Sequence, residues 1–158
     1  FTDQPGMKRT FYPYAYYRTR VDKGPVVLEF DFRQGALGGE AWFDLRDYHD
    51  KTPGGYRSGP RFVIRPDGKL IVGGQTMAEL PAGQWSHVKV AFRLGDTPQG
   101  PAPREYELSW TLPDGKTTTA KLPFAQAGFS VLTDLYIISN GTTIASFYLD
   151  NLKLQVQE

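Results

Sequence analysis

Apolar residues fall on every second position through much of this 158-residue chain. Val26, Leu28, Phe30 and Phe32 alternate with Val27, Glu29, Asp31 and Arg33, while Val88, Val90, Phe92 and Leu94 share one parity. Tyr106, Leu108, Trp110 and Leu112 lie opposite Glu105, Glu107, Ser109 and Thr111. A period of two puts successive side chains on opposite faces of a strand, so each run predicts a strand with one buried face. Turn chemistry separates the runs. Phe62 to Ile64 and Leu70 to Val72 flank Pro66-Asp67-Gly68-Lys69, a hairpin signal ended by Gly73-Gly74. A second Pro-Asp-Gly-Lys, at 113–116, returns the chain through Thr117 to Leu122. Gln34 to Gly39 reads as a glycine-rich turn, and 95–104, with three prolines and two glycines, as loop. Leu135 to Ser139 and Phe147 to Val156 are the last two strands, joined across Asn140-Gly141. No window shows helical periodicity. The expectation is an all-β, two-sheet antiparallel sandwich of roughly ten or more strands, one domain over 1–158.

One stretch departs from that scaffold pattern. In Ala41 to Arg61, the residues Ala41, Phe43 and Leu45 make an ordinary core stripe. The other parity carries Trp42, Asp44, Arg46 and Tyr48: an indole, a carboxylate, a guanidinium and a phenol. Such a set is costly to bury and suits the grip of a polar ligand with flat apolar patches. A Gly/Pro-rich loop, Thr52 to Gly59, follows and brings Tyr56, Arg57 and Arg61. The competing reading is a buried polar network between the two sheets, in which Arg46 pairs with Asp44 or Asp47.

The start of the chain adds more phenols. Tyr12, Tyr14 and Tyr16 share a parity, with Phe11, Ala15 and Tyr17 on the other. Pro13 cannot donate to a ladder, which makes this an edge strand or an extended arm. Three tyrosines on one side can stack on sugar rings or cover a flank of the sheet. Composition points the same way: aromatic residues are 14% of the chain, with nine tyrosines and three tryptophans. A net charge of +1 gives no field to steer the chain toward nucleic acid or an acidic membrane. The lack of cysteine removes disulfides, thiolate chemistry and Cys-based zinc sites. The abrupt start at Phe1-Thr2-Asp3 suggests a module of a larger protein.

Two segments resemble known architecture. Leu80 to Val90, with Gly83-Gln84-Trp85-Ser86-His87-Val88, is similar to the G-x-W-x-x-V strand of concanavalin A-like and laminin-G-like jelly rolls. Phe147-Tyr148-Leu149-Asp150-Asn151-Leu152-Lys153-Leu154 resembles their closing strand, which is also found in many bacterial carbohydrate-binding modules. Trp-Phe-Asp-Leu-Arg-Asp and Gly-Pro-Arg-Phe-Val-Ile add a likeness to accessory jelly rolls of bacterial polysaccharide-degrading enzymes. The resemblance implies a jelly-roll fold, structural roles for Trp85 and His87, and export to the periplasm, cell surface or medium. It also implies Asp150 as a structural calcium ligand, against the plainer reading of a carboxylate satisfied by backbone donors. No other cofactor is implied.

Chemistry is harder to find than binding. Glycoside hydrolysis needs two carboxyls across a bond, and the Glu-x-Asp-x-x-Glu strand of concanavalin-like glucanases is absent. Glu29/Asp31 and Glu105/Glu107 read as solvated strand faces. A polysaccharide lyase would draw its base from His49, with Arg46, Tyr48, Tyr56, Arg57 and Arg61 around it. The preferred expectation is a non-catalytic carbohydrate-binding face on Trp42, Asp44, Arg46 and Tyr48, rimmed by Tyr12, Tyr14, Tyr16, Tyr56, Arg57 and Arg61. Its partners would be a polysaccharide and a neighbouring catalytic domain. The alternatives are a small lyase or hydrolase on the same face, and a spacer whose aromatics pack against a neighbour.

Overall fold

The alternation closes two antiparallel six-stranded sheets onto each other. In the computed structural model, residues 1–9, 11–49, 55–141 and 143–156 are described. Sheet I runs, in spatial order, through β1 (Thr2–Asp3), β14 (Ala145–Val156), β3 (Gly24–Gln34), β8 (Ser86–Leu94), β11 (Glu105–Thr111) and β12 (Thr117–Pro123). Sheet II runs through β2 (Tyr14–Val21), β13 (Leu132–Ser139), β4 (Ala41–Asp47), β5 (Arg57–Ile64), β6 (Lys69–Val72) and β7 (Gln75–Glu79). Between β8 and β11, β9 (Asp96–Thr97) and β10 (Gly100–Pro101) form a small ladder inside what reads in sequence as plain loop.

The inward parities are those the pattern predicts. Val26, Leu28, Phe30 and Phe32 of β3 and Val88 and Val90 of β8 are buried against Ala41, Phe43 and Leu45 of β4. Phe30, Phe43 and Phe62 stack through the middle, with ring centres 4.5 and 4.9 Å apart in sequence along the column. Apolar area removed from water on both inner faces is what holds the layers together.

Both Pro-Asp-Gly-Lys segments fold alike. The Gly68 amide donates to Arg65 O and the Gly115 amide to Leu112 O, each at 2.9 Å. Both glycines have φ of 82°, a left-handed value that costs glycine nothing. Asp67 and Asp114 each accept from the backbone amide two residues on.

Two connections do more than the pattern alone shows. Gly73-Gly74 ends the first hairpin after Val72 and, with φ of 55° and 84°, is also the turn of a second one, pairing Val72 with Gln75. That double positive φ fits the twist of two-residue hairpins, and the polar Gln75–Glu79 strand it starts carries too little alternation to be seen. The Asn140-Gly141 link joins strands that do not pair, carrying the chain from sheet II to sheet I.

Candidate functional site

The outward face of sheet II gathers most of the predicted residues. Register lines them up across strands: Tyr16, Tyr136, Asp44 and Arg61 in one row, and Tyr14, Ile138, Trp42 and Val63 in the next. A bulge in the β4–β5 pairing between Asp44 and Arg46 interrupts the ladder here, as bulges do where a side chain is re-aimed.

Six tyrosines pave this face. Tyr12 lies 5.5 Å from Tyr14, Tyr16 5.6 Å from Tyr136, Tyr136 6.4 Å from Tyr48, and Tyr48 5.2 Å from Tyr56, between ring centres. Tyr14 bridges the first two groups at 6.2 Å from both Tyr16 and Tyr136. The guanidinium of Arg46 sits between two of these rings, 4.1 Å from the centres of both Tyr56 and Tyr136. Its Nε donates to Asp44 Oδ2 at 2.7 Å and Nη1 to the Tyr48 hydroxyl at 3.3 Å. Burial works against the Arg46 charge, and Asp44 outweighs it.

Asp44 is 1% exposed, and its Oδ1 is buried without a hydrogen-bond partner. The paired-network reading of the sequence is therefore half right. Arg46 does pair with Asp44, but the pair lies under the aromatic face, not between the sheets, and one acceptor is left over. Trp42 is half-buried; its Nε1 donates to Glu40 Oε1 at 2.6 Å, and Asn140 Nδ2 donates to the same oxygen at 2.9 Å. Arg61 lies over the indole, 4.8 Å from its centre. Among the described residues no carboxylate pairs with Arg61.

These side chains line a cleft of about 430 Å³, walled by Phe11, Tyr14, Trp42, Arg46, Tyr56, Arg61, Tyr136, Ile138 and Asn140. A second hollow, of about 680 Å³, shares Trp42 and Arg61 and continues over Val63 and Ile71 to Gly73-Gly74. Both fall within the range of small-ligand sites.

Several predicted residues behave otherwise. Arg57 lines neither cleft; its Nη1 donates to Gly128 O at 3.4 Å, on the 126–131 segment. Its parity, opposite Asp47, puts it off the aromatic face. Tyr12, Tyr16 and Tyr48 border the cleft through ring contacts without lining it. Of the Thr52–Gly59 loop, residues 52–54 lie outside the described residues.

His49, the candidate lyase base, bonds through Nδ1 to Asp47 and is not part of either cleft wall. Asp47 is itself buried and does not meet Arg46. It accepts from the amides of His49, Ser130 and Val131 at 2.9, 3.1 and 3.0 Å. Burial raises its pKa, but those four donors prevail and hold it below the ordinary value.

Tyr136, Glu40, Ile138 and Asn140 were not singled out in the sequence. The signal for Tyr136 and Ile138 was their shared parity opposite Leu135 and Ile137 in one short strand. Burial and the neighbouring Tyr48 push the Tyr136 phenol up to about 12, so it stays neutral at physiological pH.

On the far side of the sandwich, Trp85 stands immediately before β8 with its ring against Arg33, 4.8 Å from the ring centre, and is 40% exposed. His87 Nδ1 sits 2.8 Å from Asp31 Oδ1. Asp150 is exposed and accepts from the Asn151 amide at 2.8 Å, while Asn151 Nδ2 donates to Asp31 Oδ2 at 2.6 Å. Among the described residues no group of three or more His, Asp or Glu side chains could hold a metal ion.

Solved structures share this jelly-roll sandwich. CG-16, a homodimeric agglutinin from chicken liver, superposes with a TM-score of 0.51 at 12% identity, covering 90% of this chain and 99% of that one. The seed lectin of Lotus tetragonolobus gives 0.49 at 11% identity, covering 92% and 82%. The carbohydrate-binding module CBM66 from Bacillus subtilis gives 0.48 at 11%, covering 90% and 81%. No family model matches the sequence, and no curated protein does.

Proposed function

We propose that the outward face of sheet II binds a polysaccharide, without catalysis, across the cleft between Tyr14 and Arg61. The carrying observation is the combination on one face: stacked, solvent-facing phenols and an indole surround two guanidinium groups. A pyranose has an apolar C–H face that lies on Trp42 or a tyrosine ring, and hydroxyls that need both donors and acceptors. Arg61 supplies donors, and the phenols of Tyr14, Tyr56 and Tyr136 in the cleft wall can both accept and donate. With no carboxylate paired to Arg61 among the described residues, an acidic or sulfated glycan is favoured through charge-assisted bonds.

The same residues speak against lyase chemistry on this face. A base must reach the substrate proton, whereas His49 is engaged by Asp47 outside the cleft. In this reading the chain is the accessory module of an exported bacterial polysaccharide-processing protein, working beside a catalytic domain.

Affinity electrophoresis through gels containing alginate, pectin or a sulfated galactan tests the reading. Wild type should be retarded with a Kd of about 1 μM to 1 mM. Trp42→Ala should weaken retardation about tenfold or more, by loss of one stacking surface. Retardation unchanged in Trp42→Ala would remove the site.

A further inference from the structure

The outer face of sheet I is mostly a plain solvated surface. Its outward residues are matched in pairs: Glu29 with Lys153, Ser109 with Thr119, Thr111 with Thr117, and Lys121 with Glu105 and Glu107. At one end that pattern breaks. Register sets Tyr148 of β14 directly opposite Arg33 of β3, and Phe32 opposite Ser86 of β8, which brings Trp85 alongside. The Arg33 guanidinium lies 4.7 Å from the Tyr148 ring centre and 4.8 Å from that of Trp85. Both rings remain open to solvent, at 46% and 40% exposure.

The unit repeats what sheet II does at Arg46, a guanidinium held between two aromatic rings, with one difference. At Arg46 the protein provides the anion, Asp44. At Arg33 it provides none: among the described residues no carboxylate pairs with it, and its Nε is buried without a hydrogen-bond partner. Asp31, two residues away on the same strand face, is already committed to His87 and Asn151. Arginine keeps its charge at any working pH, and its planar fork matches a carboxylate or sulfate. An exposed ring on either side offers the C–H face of a sugar a place to stack.

We propose that Arg33, Trp85 and Tyr148 form a second glycan site, on the sheet opposite the Trp42 cleft, which takes a sugar unit bearing an anionic group. The anion lies against the Arg33 fork and the ring stacks on Trp85 or Tyr148. Asp150, exposed on β14 two residues beyond Tyr148, accepts from a ring hydroxyl. The site does not depend on the Trp42 cleft being a binding site.

Three indole N–H signals in a ¹⁵N-correlated NMR spectrum, from Trp42, Trp85 and Trp110, read the proposal directly. The probes are a mannuronate tetrasaccharide, a heparin-derived tetrasaccharide and neutral cellotetraose. The Trp85 signal should move saturably with at least one acidic probe, and should still do so in Trp42→Ala. Its midpoint should be about tenfold higher in Arg33→Gln, and about tenfold higher with cellotetraose. The signal of Trp110, only 5% exposed, should stay in place throughout and report that each variant is folded. A Trp85 signal that ignores both acidic probes up to about 10 mM, or that responds equally in Arg33→Gln, overturns the proposal. Equal response to cellotetraose overturns its anionic preference and with it the role of Arg33. Movement of Trp85 with a static Trp42 would instead sink the sheet II reading and leave this one standing.

Discussion

Asp47 shows most clearly what one side chain does for the molecule. It is 1% exposed, at the end of β4, and ties that end to the 129–131 segment through the Ser130 and Val131 amides. Its pKa in the folded chain lies below the ordinary 3.8. A depressed carboxylate contributes stability that is complete above its unfolded pKa and fades as pH falls through the folded value. Urea midpoints should therefore hold steady from neutrality to about pH 5 and then drop through pH 4 and below. Asp47→Asn should be less stable at pH 7 by about 1–3 kcal/mol, because one acceptor is exchanged for a donor facing donors. The gap to wild type should narrow in acid; a constant gap would show that Asp47 is not the titrating group. In the sequence Asp47 looked like one of two partners for Arg46. Parity alone, shared with Phe43 and Leu45, would have placed it inward. What it holds there comes from 83 to 84 residues further along the chain, which local pattern does not carry.

Elements built from a strong local signal were legible in advance. The alternation in β3, β8 and β11 set the inner face of sheet I, and the repeated Pro-Asp-Gly-Lys set two turns of the same geometry. The β6–β7 hairpin was not, since its second strand is polar and its burial slight. Its turn nevertheless has a firm requirement, because Gly73 and Gly74 both have positive φ. Gly74→Val should cost about 1–2 kcal/mol in chemical denaturation, whereas Gly73→Asn should cost a few tenths at most, asparagine being at home in the left-handed region. If valine is tolerated as well as asparagine, the turn type is not the one described. The site divides along the same line. Trp42, Arg46 and Arg61 could be placed by parity within one strand or its hairpin neighbour, while Tyr136 needed knowledge that β13 lies between β2 and β4. Arg57 was misplaced because closeness in sequence stood in for facing direction. The motif around Trp85 marks the entrance of β8 and says nothing about which layer covers the ring.

Across the whole molecule, the two layers meet at the column of Phe30, Phe43 and Phe62. Each ring comes from a different strand, and Phe43 makes the two closest contacts of the three, at 4.5 and 4.9 Å against 6.4 Å between Phe30 and Phe62. Phe43→Ala should destabilise the sandwich by about 3–5 kcal/mol, read from the urea midpoint at constant slope. The face above it would then lose definition as well, since Trp42 and Asp44 flank Phe43 on β4. A variant that kept full stability would mean that the layers are held elsewhere. The fold was readable because burial obeys a two-residue rhythm; ligand chemistry has no such rhythm and depends on which outward side chains the topology makes neighbours.

The tyrosine pavement carries a further consequence for how the protein can be watched. With rings 5.2 to 6.4 Å apart from Tyr12 to Tyr56, light absorbed by one phenol is handed along the row, and the nearby indole of Trp42 drains it. Emission excited at phenol wavelengths will thus carry a contribution from Trp42 at the cleft beside those of Trp85 and Trp110, and the near-ultraviolet dichroism of the coupled rings will change whenever one of them tilts. The surface is its own optical reporter, with no dye attached.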